Sequence, residues 1–291
     1  MLFEQCPRLY KDRYIDGIAT EPSLAMLFGS AVHTALEALH QGHRQTRRAA
    51  DAADGHSREA NGTGASRAYA AARAVYTEQF DLMNARLEAI GLMAPASLYA
   101  EGLTMLNLVE DMRLNADGRS EPERWFTLPT QSLWGMPTVG AVDLWSPPWS
   151  KHGAVVWDFK TTVGSWGPER AQRERWQPTL YAWAYKRAYD VIPTFRYVVL
   201  SRTGVEPRSF DRCWSPSEWK EDFSALHFHA EEIAERVAQA NFACTRGHGT
   251  CLECGEPYGH DHVCADGSRP VKIKLVHKHG QTWVQPALIE A

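Results

Sequence analysis

The feature that most constrains the fold is a change of residue pattern near position 120. Before it, apolar residues recur at the helical period, as Leu24, Leu27, Val32, Leu36 and Leu39 do within residues 23–41. After it, short segments rich in β-branched and aromatic residues are separated by Gly and Pro turns, which is typical of strands. Helices followed by a strand meander, a helix and another strand predict a mixed α/β fold, with a central mixed sheet flanked by helices.

The same patterns give element boundaries and a domain organisation. We predict helices over 1–18, 23–41, 66–91, 97–115, 178–189 and 216–239, and strands over 125–128, 138–145, 154–160 and 195–201. Residues 44–65 lack apolar periodicity, which indicates a mobile or weakly helical insertion. We expect an N-terminal helical region over 1–118, an α/β core over 119–240, and a Cys-rich metal-binding segment with a hairpin-like tail over 241–291.

Composition narrows the class of protein. With 291 residues, 44% of them hydrophobic, the chain can bury a substantial core. Because it has neither an apolar run long enough for a membrane span nor a signal-peptide pattern, we expect a cytoplasmic protein without a membrane partner. A net charge of −4 excludes a protein that coats nucleic acid by bulk charge, so any DNA contact must come from local basic clusters.

Two neighbouring strand segments each carry one aspartate. Asp143 lies late in TVGAVDLW, and Asp158 lies in AVVWDFK, across a turn. Because side chains alternate along a strand, Asp158 and Lys160 point to one face while Trp157 and Phe159 point to the other. An Asp-x-Lys pair alone would usually be a surface ion pair. A second carboxylate in the preceding strand instead favours a site for a hard divalent cation that hydrolyses phosphodiesters.

These residues resemble a known family. GAVD at 140–143 and VVWDFKT at 155–161 look like the core of the PD-(D/E)xK nucleases, in the branch that contains the RecB nuclease domain and the Cas4-type exonucleases. FEQCPRLYKDRY, FGSAVHTALEAL and QPTLYAW resemble three further motifs of that branch, in the family's order, over roughly residues 3–200. Only Met1 and Leu2 precede the first of these motifs, so this start could be late.

The resemblance implies a restriction-endonuclease-like core and a role for each matching residue. Asp143 and Asp158 would hold Mg²⁺ or Mn²⁺ with His33, and the carbonyl of Phe159 would complete the set. Lys160 would orient the attacking water or stabilise charge on the phosphate. Gln177 and Tyr181, one turn apart at a helix start, would steer the phosphate or Lys160. A further acidic residue of relatives corresponds to Glu123 or to Glu121.

Cysteines cluster near the C-terminus. Cys244, Cys251, Cys254 and Cys264 fall within about twenty residues, which in a cytosolic chain favours metal ligation over disulfides. The resemblance implies a [4Fe–4S] cluster on Cys6, Cys251, Cys254 and Cys264. Interspersed His248, His260 and His262 leave open a Zn²⁺ site through Cys244, Cys251, Cys254 and Cys264 or His262. Cys213 is interpreted as an ordinary buried thiol.

The function indicated is a metal-dependent DNA nuclease, an exonuclease acting on single-stranded DNA or DNA ends in recombination, repair or phage DNA processing, with a recombination or helicase partner. Two alternatives stay open: a structure-selective or nicking endonuclease with the same site, and a non-catalytic DNA-binding or scaffold subunit. Candidate DNA contacts share a basic side chain on or before the helix of the Gln-x-x-x-Tyr motif: Arg170, Arg173, Arg175, Lys186 and Arg187.

Overall fold

The computed structural model describes residues 10–17, 22–52, 60–128, 138–164, 166–202 and 207–240. The chain divides into two compact units, residues 22–231 and residues 1–21 with 232–291. In the second unit, Lys11–Ile15 forms a π-helical turn, and the rings of Tyr10 and Tyr14 pack with centroids 5.0 Å apart. The first nine residues of the predicted N-terminal helix lie outside the described residues.

Between the π-helical turn and the sheet, the described residues form three α-helices: α1 (Leu24–Ala52), α2 (Ala60–Glu88) and α3 (Leu98–Met112). Our prediction that the first of them ends near residue 41 is wrong, since α1 continues to Ala52 and α2 begins at Ala60. The described parts of the expected insertion are therefore regular helix. Residues 43–52 are mainly Ala, Arg and other good helix formers, but they leave the core. The apolar period consequently stops before the helix does.

The helices pack closely because small residues lie where they cross. A Cβ atom on Gly42 of α1 would lie 2.7 Å from the Ala68 Cβ of α2, so only glycine fits at this contact. On α2, buried Ala72, Tyr76 and Phe80 recur at the i, i+4 spacing and form its apolar stripe.

The sheet has five strands in sequential order: β1 (Glu121–Leu128), β2 (Thr138–Ser146), β3 (Val155–Thr162), β4 (Thr194–Ser201) and β5 (Arg208–Arg212). Only β3 and β4 are parallel, and they are joined by α4 (Pro168–Arg173) and α5 (Trp176–Tyr189). The final described helix is α6 (Pro216–Ala238). The predicted mixed α/β fold class is confirmed. Sequence patterns missed α4, a single short turn, and β5, whose sequence RSFDR is too polar to look like a strand.

Each face of the sheet has its own hydrophobic core. Helices α1 to α3 pack with Trp157, Phe159 and Leu144 on one face. Helix α5 packs with Val156, Trp145 and other residues on the opposite face. None of the helices in the described ranges combines the length and the apolar character that a membrane span requires.

Candidate active site

Strands β2 and β3 form a short ladder that opens into a fork. Their pairs are Leu144–Trp157, Trp145–Val156 and Ser146–Val155. Past Leu144–Trp157, the backbone N–H of Phe159 donates to Asp143 Oδ2 at 2.7 Å. A side chain thus replaces the backbone acceptor that a continued ladder would provide. The fork therefore holds the Asp143 carboxylate between the two strands.

Asp158 and Lys160 lie on one face of β3, as predicted. Lys160 Nζ is 2.6 Å from Asp158 Oδ2, and the Asp158 side chain is only 4% exposed. Trp157 and Phe159 occupy the opposite face, within the core beneath α1. Strand alternation thus separates the apolar anchors of β3 from its ionisable pair.

Gln177, in the first turn of α5, bridges the two charged groups. Its Oε1 accepts a hydrogen bond from Lys160 Nζ at 3.2 Å, and its Nε2 donates to Asp158 Oδ1 at 2.9 Å. The same Nε2 lies 3.2 Å from the hydroxyl of Tyr181, one turn further along α5. The amide can serve both charges because it carries an acceptor and a donor. Gln177 therefore fixes Lys160 and Asp158 relative to α5.

His33 approaches the fork from the other side of the sheet. It lies on α1, with Nδ1 3.4 Å from Asp143 Oδ1. Buried Val32 and Leu36 flank it and anchor this stretch of α1 in the core. The structure thus brings together His33, Asp143, Asp158, Lys160, Gln177 and Tyr181 from two strands and two helices.

The two aspartates have opposite pKa shifts. Burial raises the pKa of Asp143. The charges of His33 and Lys160 and the hydrogen bonds from His33 and the Phe159 N–H lower it by more, so that it ends below the usual range. Burial raises the pKa of Asp158, and the Asp143 carboxylate adds to this against the opposing Lys160 charge, leaving the pKa at about 6. Asp143 therefore ionises more readily than Asp158.

The basic side chains beside these aspartates, Lys160 and His33, both have raised pKa values. Burial lowers the pKa of Lys160, but Asp158 and Asp143 raise it by more, so that the ammonium form is favoured. Burial likewise lowers the pKa of His33, and the charge and hydrogen bond of Asp143 raise it above its ordinary value. Burial is also the main reason that the pKa of Tyr181 is raised, so that its hydroxyl remains protonated.

The donor chemistry at the fork fits a hard divalent cation. Two carboxylates and an imidazole meet there, and the buried Asp158 Oδ2 has Lys160 Nζ, 2.6 Å away, as its ion-pair partner. Within the described ranges, however, no three His, Cys, Asp or Glu side chains are already arranged as a ligand set. The carboxylate of Asp158 is instead held by Lys160 and Gln177.

The two acidic candidates on β1 differ in position. Glu121 forms ion pairs with Arg44, at 3.2 Å, and with Arg124. Glu123 lies between the β1–β2 pairs Pro122–Leu144 and Arg124–Val142, and so opposite Asp143. Its φ of 46° is in the left-handed region, where residues other than glycine are strained. The register therefore favours Glu123 as the acidic neighbour of the fork.

Sequence reasoning did not assign a role to Gly140 or Phe126. They pair across β1 and β2, and a Cβ on Gly140 would lie 2.5 Å from Phe126 Cζ. The missing side chain lets the Phe126 ring lie across β2 and meet Tyr181 edge-on, with centroids 5.7 Å apart. The glycine of the GAVD motif thus supports the α5 side of the fork. Its signal in the sequence was an isolated glycine within a strand.

Tyr197 on β4 was also missed. It pairs with Asp158 in the parallel ladder, and its ring centroid lies 5.7 Å from Lys160 Nζ. Its hydroxyl donates to the Glu174 carbonyl at 3.2 Å, and the ring of Trp166 packs on it at 4.7 Å. Tyr197 therefore supports the lysine from beneath.

The expected DNA-contacting residues are spread over two elements. Arg170 and Arg173 lie on α4, and Arg175 stacks over Trp176 at 4.4 Å. At the far end of α5, Lys186 pairs with Asp190 at 2.9 Å, and Arg187 lies over Trp183.

The prediction for Cys213 is wrong. Its thiol is exposed just beyond β5, 3.6 Å from Thr194 Oγ1, because this strand lies at the edge of the sheet. The predicted cluster residues Cys6, Cys244, Cys251, Cys254 and Cys264, together with His248, His260 and His262, lie outside the described residues.

Comparisons with known proteins agree with this geometry. The sequence model of the PD-(D/E)XK nuclease superfamily matches residues 1–257. The crystal structure of a "putative exonuclease" from Eubacterium rectale is similar with a TM-score of 0.53 and 14% identity, covering 92% of this chain and 83% of that one. The structure of SSO0001 has a TM-score of 0.31 and 13% identity, covering 58% and 70%, too low to carry an argument. No curated protein matches the sequence. Because this family model matches residues 1–257 of the 291, the chain belongs to the PD-(D/E)XK nuclease superfamily.

Proposed function

We propose that the protein is a metal-dependent deoxyribonuclease that acts as an exonuclease from DNA ends. The observation that carries this is the position of Lys160, whose ammonium is held between Asp158 and Gln177 directly beside Asp143. A positive charge fixed in this way is ready to stabilise charge that develops on a phosphate. Asp143 and Asp158, with His33 and the Phe159 carbonyl, would hold Mg²⁺ or Mn²⁺.

The bound cation would withdraw charge from the phosphate and lower the pKa of the attacking water. The side chains supply positioning. Gln177 would keep Lys160 aimed at the water or the phosphate while Asp158 turns toward the cation. The hydroxyl of Tyr181, protonated because of its raised pKa, would donate a hydrogen bond to a phosphate oxygen or to Gln177.

The test is cleavage of end-labelled linear DNA, single- and double-stranded, with Mg²⁺, Mn²⁺ or EDTA. We expect metal-dependent release of label that Asp158→Asn and Lys160→Met each reduce by about 10²- to 10³-fold, as loss of a preorganised catalytic group typically does. Asp81→Asn and Lys220→Met serve as matched controls, because both residues are exposed and lie on α2 and α6, which carry none of the fork residues. Intact DNA under every condition with folded protein would contradict the enzyme assignment.

Substrate topology separates the two nuclease modes. An exonuclease leaves covalently closed circular DNA intact and degrades it after linearisation. Nicking or linearising of the closed circle by the wild type, lost in Lys160→Met, would establish an endonuclease instead. A role in recombination, repair or phage DNA processing, with a partner helicase, stays a prediction.

The cysteine cluster is a separate prediction. We propose a [4Fe–4S] cluster on Cys6, Cys251, Cys254 and Cys264, with Zn²⁺ as the alternative metal. Iron and sulfide analysis of anaerobically purified protein, together with its visible absorbance, distinguishes the two. Stoichiometric zinc without iron would reject the iron–sulfur assignment.

A further inference from the structure

Arginines gather on a surface remote from the fork, at the end of α1 and the loops beside it. A concave region of about 290 Å³ is lined by four arginines, two acidic residues and two aromatic rings: Arg44, Arg47, Arg48, Arg119, Asp51, Glu121, Trp149 and Tyr189. We call this the arginine–tryptophan surface. Four guanidinium groups against the carboxylates of Asp51, Glu121 and the adjoining Asp117 leave it with an excess of positive charge, in a chain whose net charge is −4. The surface is thus locally positive, whereas the molecule as a whole is negative.

The surface is rigidly built. Gly118, with a φ of 63°, lets its loop come against Arg47 and the His43 carbonyl, where any Cβ would clash. Arg119 Nη1 donates to the Trp149 carbonyl at 3.2 Å, and the Lys151 N–H donates to the Asp117 carboxylate at 2.7 Å. Helix α1 and two loops are therefore held together, so that the arginines are positioned in advance of any ligand.

Two groups on this surface are available to a ligand. Trp149 is 63% exposed, and its ring is held edge-on against Tyr189 at 5.4 Å. Because the Tyr189 ring holds the indole in place while much of it stays open to solvent, Trp149 can stack against a flat ring of a ligand. Arg48 is exposed and takes part in no ion pair with the described residues. By contrast, Arg44 is compensated by Glu121 and Arg47 by Asp51.

The distance to the fork suits an extended polyanion. His33 and Arg44 are eleven residues apart on α1, which corresponds to about 16 Å. Gln177 and Tyr189 are twelve residues apart on α5, about 18 Å. Either separation is several times the spacing of about 3.4 Å between successive phosphates in one strand of a duplex, so a strand that reaches both sites must be longer than one or two nucleotides.

We propose that the arginine–tryptophan surface binds single-stranded DNA, through its phosphates on the arginines and a base on Trp149. This rests on the proposed nuclease function and adds to it a binding site for the strand away from the point of cleavage. A single strand fits better than a duplex because only unpaired bases expose a face to Trp149. An acidic peptide would use the arginines but not the ring.

The test is binding of a fluorescently labelled oligothymidine in EDTA, where no cleavage can occur, as a function of salt. Arg47→Gln with Arg48→Gln removes two cations and keeps the side-chain stems. We expect affinity to fall at least about fivefold and the salt slope to fall by about 0.7 to 1.4, since each phosphate contact on a single strand contributes about 0.7 and Arg47 is already paired with Asp51. Arg73→Gln with Arg86→Gln, on the exposed face of α2, is the matched control and should bind like the wild type.

The ring is tested separately. Trp149→Ala should weaken binding about tenfold, and Trp149→Phe should restore most of it, because base stacking needs an aromatic face. Equal affinity in the arginine double variant and its control would overturn the proposal, as would poly-glutamate competing as well as oligothymidine. Preference for a duplex with no effect of Trp149→Ala would overturn the single-strand assignment. Because binding is measured without cleavage, these outcomes are independent of whether the nuclease assay succeeds.

Discussion

Acidification should destabilise this protein through one histidine in its core. His40 on α1 is 2% exposed, its ring stacks on Phe159 with centroids 5.7 Å apart, and within the described residues neither ring nitrogen has a hydrogen-bond partner. Burial lowers the pKa of His40 from 6.5 to about 3, with the neighbouring His43 adding to the effect. The folded protein therefore holds His40 neutral.

The magnitude follows from linkage. Because the folded pKa lies below the unfolded one, the unfolded chain binds the proton more readily, and stability present above pH 6.5 is lost as pH falls toward 3. At 1.36 kcal/mol per pKa unit, the full loss is about 5 kcal/mol, and about half of it, roughly 2.5 kcal/mol, is reached by pH 4.5. That is a large part of the stability of a typical domain.

The assay is urea denaturation followed by tryptophan fluorescence, between pH 8 and pH 4.5 in EDTA. His40→Leu removes the titrating ring and its two unpaired nitrogens, so it should match the wild type at pH 8 to within about 1 kcal/mol. The variant should then exceed the wild type increasingly as the pH falls. Leu36→Val, a core change on the same helix without a titrating group, should shift stability equally at every pH. Parallel curves for the wild type and His40→Leu would refute the reasoning.

Three further outcomes are expected. Gly140→Ala should push the Phe126 ring out of place and lower nuclease activity, and the added change Phe126→Leu should recover part of it; equal activity in all three proteins would contradict this. Tyr197→Leu should lower kcat up to about tenfold by removing the ring beneath Lys160, whereas Tyr197→Phe should retain it, and equal loss in both would show that the hydroxyl matters instead. Mn²⁺ at about 100 times its Kd should stabilise the fold by about 2.7 kcal/mol in thermal unfolding, and no difference between the wild type and Asp158→Asn would argue against a cation at the fork.

The sequence was sufficient to predict side-chain positions that depend only on the regular geometry of a single strand or helix. Strand alternation correctly placed Asp158 and Lys160 on one face of β3, and the i, i+4 spacing correctly placed Gln177 and Tyr181 on one face of α5. The helix period identified the buried face of α1. It misjudged the length of α1 because periodicity reports burial, and a helix that leaves the core keeps its backbone conformation without an apolar stripe.

Features that depend on two distant segments could not be predicted. The fork exists because the β2–β3 ladder ends at Leu144–Trp157 and a side chain takes over as acceptor, which no local pattern encodes. The contact of Gly140 with Phe126 requires the register of β1 against β2. The exposure of Cys213 likewise depends on β5 being an edge strand, which is known only once the strand order is known.

The buried charges at the fork are difficult to explain as structural elements. Taking the Asp158 carboxylate out of water costs several kcal/mol, and an apolar residue of similar volume is often neutral or stabilising in such a place. Strand β3 already has Val156 on that same face, and Trp157 and Phe159 bury its other face, so its packing does not need the pair. Burial raises the pKa of Asp158, and the nearby Asp143 adds to this against the opposing charge of Lys160, leaving the pKa at about 6, so Asp143 makes the arrangement costlier. Residues that destabilise their own strand, and that Gln177 and Tyr197 then hold in position, are better explained by what they do to a ligand than by what they do for the fold.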